Sequence, residues 1–479
     1  MAKEAKAQLE PETSISKYRD QIINGPVVRT IFWLGTPPLV NQLVVVAYSV
    51  MDAYWLSMYS EVAVAVPRQM WPILMLFQAV INGLTAAILA MVSQHIGGKA
   101  YREASVSASR FFTLAVLSGG FLSIVLLTLR YSIFTVVLST PPEIFDYVMA
   151  YSGVIAFDVF FNYVALTYST ILQSIGDTRR PAIVNVLAVL VNVALDPFFV
   201  LGLGPFPRLG VVGAALTDVL GKAISITALA IVLRKYYPEL KVKFTGQLDF
   251  EWIRLASRIG TPILTLGLMN GFAFLMQLKF INMMGVVAAT AFSIGFMVLD
   301  VVDAVLWGLS GAPAIMIGQS LGAEKPERAR EVAWKATALL FLLITAGAAV
   351  TYPLRRNIAD VFADNVNIVN ETDFFLQTLL PTLPFFGLFI AALSAGRGSG
   401  HTVFPTALGI FRLWGLRVIL GYILAYTLKM GSSGIWLAIA LSNIIGGIIA
   451  VLWIRHGNWA KAVVEKSKET YDKTYGTRC

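Results

Sequence analysis

Four aspartates lie inside long apolar stretches of the first half of this chain, where an ionised side chain is costly. Asp52, Asp158, Asp196 and Asp218 each interrupt a run of apolar residues long enough to cross a bilayer. A charged side chain at such a position needs a partner, a water-filled cavity or a function, because hydrocarbon does not solvate it. Carboxylates of this kind can exchange protons or hold a small cation. The indicated chemistry is therefore ion exchange inside a membrane.

Two of these aspartates have polar neighbours on the same helix face. Tyr48 precedes Asp52 by four residues, and Asn192 precedes Asp196 by the same spacing. Pro197 removes a backbone donor, so we expect a local bend beside Asp196. The candidate residues for binding an ion or substrate are Asp52, Asp196, Asn192, Tyr48, Tyr151, Asp158, Thr217 and Asp218.

The aspartates have a competing structural explanation, a polar network that fastens helices together, over which the ion-binding role is favoured for Asp52 and Asp196. Lys222 is four residues after Asp218 on the same helix face, so a salt bridge within that helix is favoured slightly over a functional role. For Asp158, an ion-binding role and a structural polar network between helices remain equally open.

The elements that must position these residues are membrane spans. The chain is 57% hydrophobic and 14% charged, with a mean hydropathy of +0.71, which lies outside ordinary globular usage. Twelve apolar runs are long enough to cross about 30 Å of hydrocarbon. They are predicted near 30–57, 63–93, 106–129, 145–172, 182–204, 211–233, 253–283, 286–318, 333–353, 372–396, 404–428 and 434–455. The predicted fold class is an all-α polytopic membrane protein.

Basic residues mark one side of the membrane. The connections after spans 2, 4, 6 and 8 and both termini carry most of the lysines and arginines. By the positive-inside rule, we expect both termini in the cytoplasm and the chain in the plasma membrane. The net charge of +9 therefore belongs beside the membrane ends, where it contacts anionic lipid, and no nucleic-acid partner is expected.

The chain repeats itself at about half its length. Gly35-Thr36-Pro37 returns as Gly260-Thr261-Pro262, and Gln94-x-x-Gly97 returns as Gln319-x-x-Gly322, both 225 positions later. Two halves of six spans each have the same orientation, so their symmetry axis runs along the membrane normal, as in transporters with parallel repeats. The predicted domains are a cytoplasmic segment 1–29, an N-lobe 30–233, a cytoplasmic linker 234–252, a C-lobe 253–455 and a cytoplasmic tail 456–479.

The second half does not repeat the acids of the first. The shift of 225 places Asp52 on Gln277. Asp300 and Asp303 lie near the middle of span 8, and Lys279 lies nearer the outer end of span 7, where its ammonium group can snorkel to the interface. We therefore expect the N-lobe to bind the coupling ion and treat a C-lobe role as the less favoured alternative.

Other chemistries find little support in the sequence. Cys479 is the only cysteine, which excludes an intramolecular disulfide and a thiolate metal site. Neither glycine-rich nucleotide-binding motif occurs, and no serine and histidine suggest a triad. We expect neither an enzyme nor a cofactor. The one metal option is sodium held by Asp52, Asp196 and Asn192.

Over residues 22–455 the chain resembles the multidrug and toxic compound extrusion (MATE) family. An aspartate in span 1 paired with one in span 5 is similar to the prokaryotic and archaeal DinF-like branch of that family. The resemblance rests on motifs in this order: Asn24-Gly25-Pro26, Asp52-Ala53-Tyr54-Trp55, Gln94-x-x-Gly97, Gly176-Asp177-Thr178-x-x-Pro181, Asn192-x-x-x-Asp196-Pro197, Gly210-x-x-Gly213-Ala214-Ala215, Gly318-Gln319-x-x-Gly322-Ala323, Arg412 and Arg417.

The resemblance implies a two-lobed antiporter of twelve helices that expels cationic, amphipathic compounds, driven by inward flow of protons or sodium. It implies that Asp52, Asn192 and Asp196 form the ion-responsive group, with Tyr48 and Tyr151 in the same cavity. The chain departs from the family pattern at one position in span 6. Leu216-Thr217-Asp218 replaces the expected small residues there, which adds a carboxylate.

The sequence therefore predicts a secondary active efflux antiporter whose ion acts at N-lobe carboxylates. The expected partners are small cationic or amphipathic substrates, H⁺ or Na⁺ and membrane lipids, in a monomer. The nearest alternative is a flippase of related fold that moves a lipid or a lipid-linked oligosaccharide. Flippases of that kind need a basic cavity for phosphates, whereas the N-lobe spans are acidic.

Overall fold

The computed structural model describes residues 14–60 and 63–464, and these residues fold almost entirely into helices. Twelve of the helices are long and apolar enough to cross a membrane, which confirms the predicted number of spans. Spans 1 to 12 are Val27–Tyr59, Val66–Gly97, Tyr101–Val137, Pro142–Ile175, Arg179–Leu201, Val211–Tyr236, Phe250–Asn282, Val286–Gly322, Pro326–Phe362, Val366–Ser399, Val403–Thr427 and Ser432–His456.

Several spans depart from regular α geometry. Span 3 is α-helical over Tyr101–Ser132 and ends in a π-helix, Ile133–Val137. Span 10 is divided by a 3₁₀ turn, Leu380–Thr382, between Val366–Leu379 and Leu383–Ser399. Span 11 begins as α-helix at Val403–Ile410 and continues as two π-helical stretches. Those stretches are Phe411–Leu420 and Ile423–Thr427. A 3₁₀ turn, Ala63–Ala65, leads into span 2.

Glycine and proline place the span ends where the sequence motifs occur. Gly176 caps the end of span 4 and Gly400 caps the end of span 10, with φ of 106° and 82°. Only glycine adopts such φ values without strain, which explains the repeated Gly-x-Thr-x-x-Pro pattern at these two points. Span 5 stays helical through Pro197, and the bend proposed there remains a prediction.

A short amphipathic helix, Ser14–Asn24, precedes span 1 within the segment predicted as cytoplasmic. It is too short and too polar to cross a bilayer, but it buries Ile15, Ile22 and Ile23 against the rest of the protein. The Nε of Arg19 donates to the backbone oxygen of Gly97 at 2.8 Å. The helix therefore covers the ends of the spans on the predicted cytoplasmic side.

The connection between the lobes is also fastened to that side. The phenol of Tyr237 donates to Asp177 Oδ2 at 2.8 Å, and the same carboxylate oxygen accepts from Arg180 Nη1 at 2.7 Å. Burial and the neighbouring Asp177 raise the pKa of Tyr237, so the phenol stays a neutral donor. This contact ties the start of the linker to the turn between spans 4 and 5.

The two lobes meet through a reciprocal exchange of glutamines. Gln94 Nε2 donates to the backbone oxygens of Gly398 and Ser399 at 3.2 and 3.1 Å. Gln319 Nε2, its counterpart in the repeat, donates to the backbone oxygens of Ser174 and Ile175 at 2.8 and 3.1 Å. Each glutamine therefore reaches from span 2 or span 8 to the end of a span in the opposite lobe. These contacts close the predicted cytoplasmic side.

The lobes also touch through spans 1 and 8. Because Gly308 has no side chain, its backbone lies directly against Leu39. Gly35 lies against Leu309 for the same reason. Toward the predicted outer side of this contact, span 8 exposes Val301 at 60% and also Asp300. An exposed carboxylate at that depth is expected to face a water-filled cleft rather than lipid.

The N- and C-terminal predictions fall partly outside the described residues. Residues 1–13 of the predicted cytoplasmic segment and residues 465–479 of the predicted tail, including Lys466, Lys468 and Lys473, lie there. Within the described part of the tail, Trp459 is fully buried. The backbone nitrogens of Val463 and Val464 donate to Gln94 Oε1 at 2.8 and 3.3 Å.

Candidate functional site

A polar cluster in the N-lobe joins spans 1, 5 and 6 at Asp218. The phenol of Tyr48 donates to Asp218 Oδ1 at 3.0 Å. Asn192 Nδ2 donates to the same oxygen at 2.8 Å and to the phenol oxygen of Tyr48 at 3.0 Å. Asn192 is therefore bonded to Asp218 on the neighbouring helix and not to Asp196 on its own. A change in the charge of Asp218 acts on three helices at once.

Asp196 occupies a separate, fully buried position next to this cluster. The hydroxyl of Thr217 donates to Asp196 Oδ1 at 2.6 Å, and both residues are 0% exposed. Asp196 Oδ2 is buried without a hydrogen-bond partner among the described residues. Thr217 and Asp218 are adjacent in span 6, so this span contacts both carboxylate positions of the site.

Asp158 is the partner of Lys222, which makes the predicted pairing of Lys222 with Asp218 wrong. Lys222 Nζ donates to Asp158 Oδ2 and forms a salt bridge between spans 6 and 4. Spacing along span 6 favoured Asp218, but span 4 packs against span 6 and presents Asp158 to the lysine. Asp218 is thereby left to the hydrogen bonds from Tyr48 and Asn192.

Asp52 and Tyr151 complete the N-lobe site. Asp52 is partly buried on span 1, and its Oδ1 has no hydrogen-bond partner among the described residues. It lies within electrostatic range of Asp218 and Asp196. Tyr151 is buried on span 4 and lies within range of all four aspartates. The structure therefore brings every predicted candidate into one region between spans 1, 4, 5 and 6.

Further polar side chains continue from this region toward the predicted cytoplasmic side. Ser225, one turn after Lys222, donates to Asn185 Oδ1 at 2.7 Å, and Asn185 Nδ2 lies 3.5 Å from Ser169 Oγ. Spans 4, 5 and 6 each contribute one of these residues. Sequence reasoning missed this row, although Asn185 precedes Asn192 by two helical turns and shares its face.

The C-lobe holds a cluster of opposite polarity, built around two arginines of span 11. Arg412 Nη1 and Arg417 Nη2 both donate to Asn443 Oδ1, at 3.2 and 3.0 Å. Arg417 Nε donates to Ser442 Oγ at 2.8 Å, and Asn443 Nδ2 donates to Thr382 Oγ1 at 3.2 Å. In the sequence the two arginines stand out only as part of the family motif, since single arginines carry no periodic signal.

The other ionisable residues of the C-lobe lie in different surroundings. Lys279 is exposed near the outer end of span 7. Asp303 lies within electrostatic range of Arg417 and Arg412, whereas Asp300 is exposed on the same helix. Asp303 therefore belongs with the arginine cluster, and Lys279 does not.

Comparison with known proteins gives the same fold and repeat. The MatE family model matches residues 37–198 and 262–423, two segments offset by the 225 positions of the internal repeat. YoeA of Bacillus subtilis, a probable multidrug resistance protein, is 24% identical over 382 residues, which cover 78% of this chain and 81% of the relative. An FAD transporter of Shewanella oneidensis is 23% identical over 440 residues, covering 90% of this chain and 95% of the relative.

A crystal structure of MATE in the bent conformation superposes with a TM-score of 0.85 at 22% identity, covering 93% of this chain and 97% of the other. This likeness confirms the predicted all-α fold of two six-helix lobes. Proteins with this fold and family model are membrane transporters rather than enzymes. With a family model that matches both halves in register, this chain belongs to the MatE family of multi-pass membrane transporters.

Proposed function

We propose that this protein is a secondary active antiporter that exports cationic amphipathic compounds in exchange for H⁺ or Na⁺ bound at N-lobe carboxylates. The observation that carries the proposal is a set of three buried carboxylate oxygens that have no hydrogen-bond partner within the described part of the chain: Asp52 Oδ1, Asp158 Oδ1 and Asp196 Oδ2. An unpaired carboxylate oxygen in a membrane interior is costly unless it binds a proton or a cation. The relationship to multidrug resistance proteins supports efflux as the direction of transport.

Asp218 supplies the structural link between ion binding and movement. Its Oδ1 accepts from Tyr48 on span 1 and from Asn192 on span 5. Proton uptake at this carboxylate weakens both charge-assisted hydrogen bonds. Spans 1 and 5 then repack against span 6, the N-lobe loses negative charge, and a cationic substrate is held less tightly. The substrate leaves outward, and the ion leaves inward past Lys222 and Asn185.

Sodium is the alternative coupling ion, and the proposed ligands are Asp52, Asp196 and Asn192. Each of these residues has one buried side-chain oxygen without a hydrogen-bond partner among the described residues. Carboxylate and amide oxygens are the hard ligands that sodium and other hard cations prefer. The same three residues therefore suit either ion. The gradient that drives efflux in the assay below, of protons or of sodium, identifies the coupling ion.

The test is efflux of a fluorescent cationic dye from proteoliposomes under a pH gradient and, separately, under a sodium gradient. Asp52→Asn and Asp196→Asn are each expected to lower gradient-driven efflux by about tenfold or more, since each removes an ionisable group of the site. Asp146→Asn is the matched control, because Asp146 is exposed at the outer end of span 4. Wild-type rates in both site variants, at normal expression, would rule the mechanism out.

We further propose the domain limits and orientation that the sequence predicts. The N-lobe covers 30–233, the linker 234–252 and the C-lobe 253–455, flanked by cytoplasmic segments 1–29 and 456–479. The protein then lies in the plasma membrane as a monomer with both termini inside. Span 6 ends at Tyr236 and span 7 begins at Phe250, which supports a short linker between the lobes.

The flippase alternative is less favoured. The relatives described above are named for multidrug resistance and for transport of FAD. Transport of small solutes is therefore the better-supported function.

A further inference from the structure

The two lobes hold polar clusters of opposite charge. The shift of 225 that relates the two halves takes Asp52 to Gln277, and the polar cluster of the C-lobe is built around two arginines instead of carboxylates. An acidic position of the N-lobe thus becomes a neutral amide in the C-lobe. Gln277 is 4% exposed, and its Nε2 is a buried donor without a hydrogen-bond partner among the described residues.

One contact between helices occurs in both lobes, with charged side chains in the N-lobe and neutral side chains in the C-lobe. Two further repeats flank this contact: Gly176-x-Thr178-x-x-Pro181 returns 224 positions later at Gly400, and Gly210-x-x-Gly213 returns 221 positions later at Gly431. These offsets place Asp158 on Thr382 and Lys222 on Asn443. Asp158 and Lys222 form a salt bridge, and Thr382 and Asn443 form a neutral hydrogen bond. The fold has kept the contact and replaced the charges. Asn443 is thereby free to accept from both arginines.

The arginine cluster has N–H donors to spare. Arg412 is 5% exposed, its guanidinium lies 4.6 and 4.7 Å from the ring centres of Phe386 and Phe389, and its Nε has no hydrogen-bond partner among the described residues. A guanidinium has five N–H donors and is always charged. All hydrogen-bond acceptors that the described residues offer to Arg412 and Arg417 are neutral oxygens.

The two arginines carry more positive charge than the neighbouring carboxylate neutralises, so an added anion would complete the charge balance. Asp303 influences both arginines electrostatically, but one carboxylate leaves two guanidiniums with a net positive charge. Paired arginines with a planar fork of donors match carboxylate, phosphate or sulfonate oxygens. Arg417 is only partly buried, so its end of the cluster is the accessible one.

We propose that the C-lobe cluster of Arg412, Arg417, Ser442 and Asn443 binds an anionic group of the transported compound. This inference rests on the proposed efflux function and narrows its substrate class. A compound with a cationic part for the N-lobe carboxylates and a carboxylate, phosphate or sulfonate for the arginines satisfies both lobes. A zwitterionic amphipath is therefore held better than a purely cationic one.

The test uses two dyes that differ in one anionic group. Tetramethylrhodamine carries a free carboxylate beside its cationic ring system, and its methyl ester carries the cation alone. Binding of each dye to purified full-length protein in detergent is followed by fluorescence anisotropy. Wild type is expected to prefer the carboxylate dye, and Arg417→Gln is expected to reduce that preference by about tenfold, the effect of losing one charge-assisted hydrogen bond.

Two further variants separate the site from general effects of charge and folding. Lys279→Gln removes a positive charge from the same lobe at an exposed position, and it is expected to keep the wild-type preference. Arg417→Lys keeps the charge without the planar fork and is expected to keep part of it. If Arg417 has only a structural role, the Arg417→Gln variant should bind both dyes more weakly by the same factor, and the ratio of their affinities should not change.

Each outcome bears on a defined claim. Equal binding of the two dyes by wild type, or an unchanged preference in a folded Arg417→Gln variant, overturns the anion site and leaves the efflux proposal standing. Failure of wild type to bind either dye counts against both. Displacement of the carboxylate dye by phosphatidylglycerol but not by phosphatidylcholine supports the anion site and identifies a lipid headgroup as the source of the group.

Discussion

At the scale of single residues, the salt bridge of Lys222 distinguishes Asp158 from Asp218. Lys222 satisfies Asp158, so Asp218 is left to accept from Tyr48 and Asn192. The two aspartates therefore have different environments. Asp158 is paired with a lysine, whereas Asp218 accepts hydrogen bonds from neutral side chains on two other spans.

Lys222→Met is expected to lower the thermal stability of the purified protein, because it leaves the Asp158 carboxylate buried without its partner. The loss is about 2 kcal/mol, below that of a fully buried pair, since the lysine is 32% exposed. Adding Asp158→Asn should restore most of the lost stability, because it removes the unpaired charge. The measurement is thermal unfolding of both variants in detergent, and rescue by Asp218→Asn instead would contradict the observed pairing.

At the scale of helices, hydrogen bonds from two glutamines join the lobes on the predicted cytoplasmic side. Gln94 and Gln319 each make two bonds to span ends of the opposite lobe. Glycines at Gly97 and Gly322 let the backbones approach there, since an added side chain at either would meet the opposite glutamine's backbone. Opening this side must break both sets together.

Gln94→Ala combined with Gln319→Ala is expected to favour opening of this side. Each lost bond contributes about 1 kcal/mol, so opening becomes at least tenfold more frequent. A cysteine at position 93, introduced as Ser93→Cys in a Cys479→Ser background, reports this opening. Ser93 is 0% exposed and lies against Gly318 of the other lobe, so it becomes accessible only when the lobes separate. Its labelling by a maleimide should accelerate in the double variant. An unchanged rate would show that other contacts hold the lobes.

Gln78→Ala is a suitable control for that experiment. Gln78 lies on the same span as Gln94, is exposed, and bonds only to Asn82 one turn away among the described residues. Its replacement should leave labelling of Ser93→Cys at the rate of the background protein. An acceleration there as well would point to general loosening of span 2.

At the scale of the whole molecule, the arrangement of charge predicts which side faces the cytoplasm. Cys479 is the only natural cysteine, so a membrane-impermeant maleimide reports its location directly. We expect labelling in inside-out vesicles and not in intact cells. Ser139→Cys, exposed between spans 3 and 4, should show the opposite pattern in a Cys479→Ser background. Labelling of Cys479 from outside would reverse the proposed orientation.

Features that depend on local sequence were predictable at this scale, and features that depend on which helices become neighbours were not. Apolar length gave twelve spans, and repeated motifs gave two lobes. The salt bridge between Lys222 and Asp158, the hydrogen bonds from Tyr48 to Asp218 and the two arginines sharing Asn443 all join different spans. Spacing along one helix cannot reveal such contacts, because it reports only which residues share a face.

The reciprocal glutamines suggest how the molecule arose. Each half offers the same donor and accepts at the same backbone oxygens, so the contact is isologous, as between two identical subunits related by a twofold axis. A six-span half that carries this glutamine and the end of its fourth span has both groups of the contact, as a subunit of a homodimer would. In a fused chain one half can hold the aspartate cluster and the other the arginine cluster, which a symmetric dimer of one gene product cannot do.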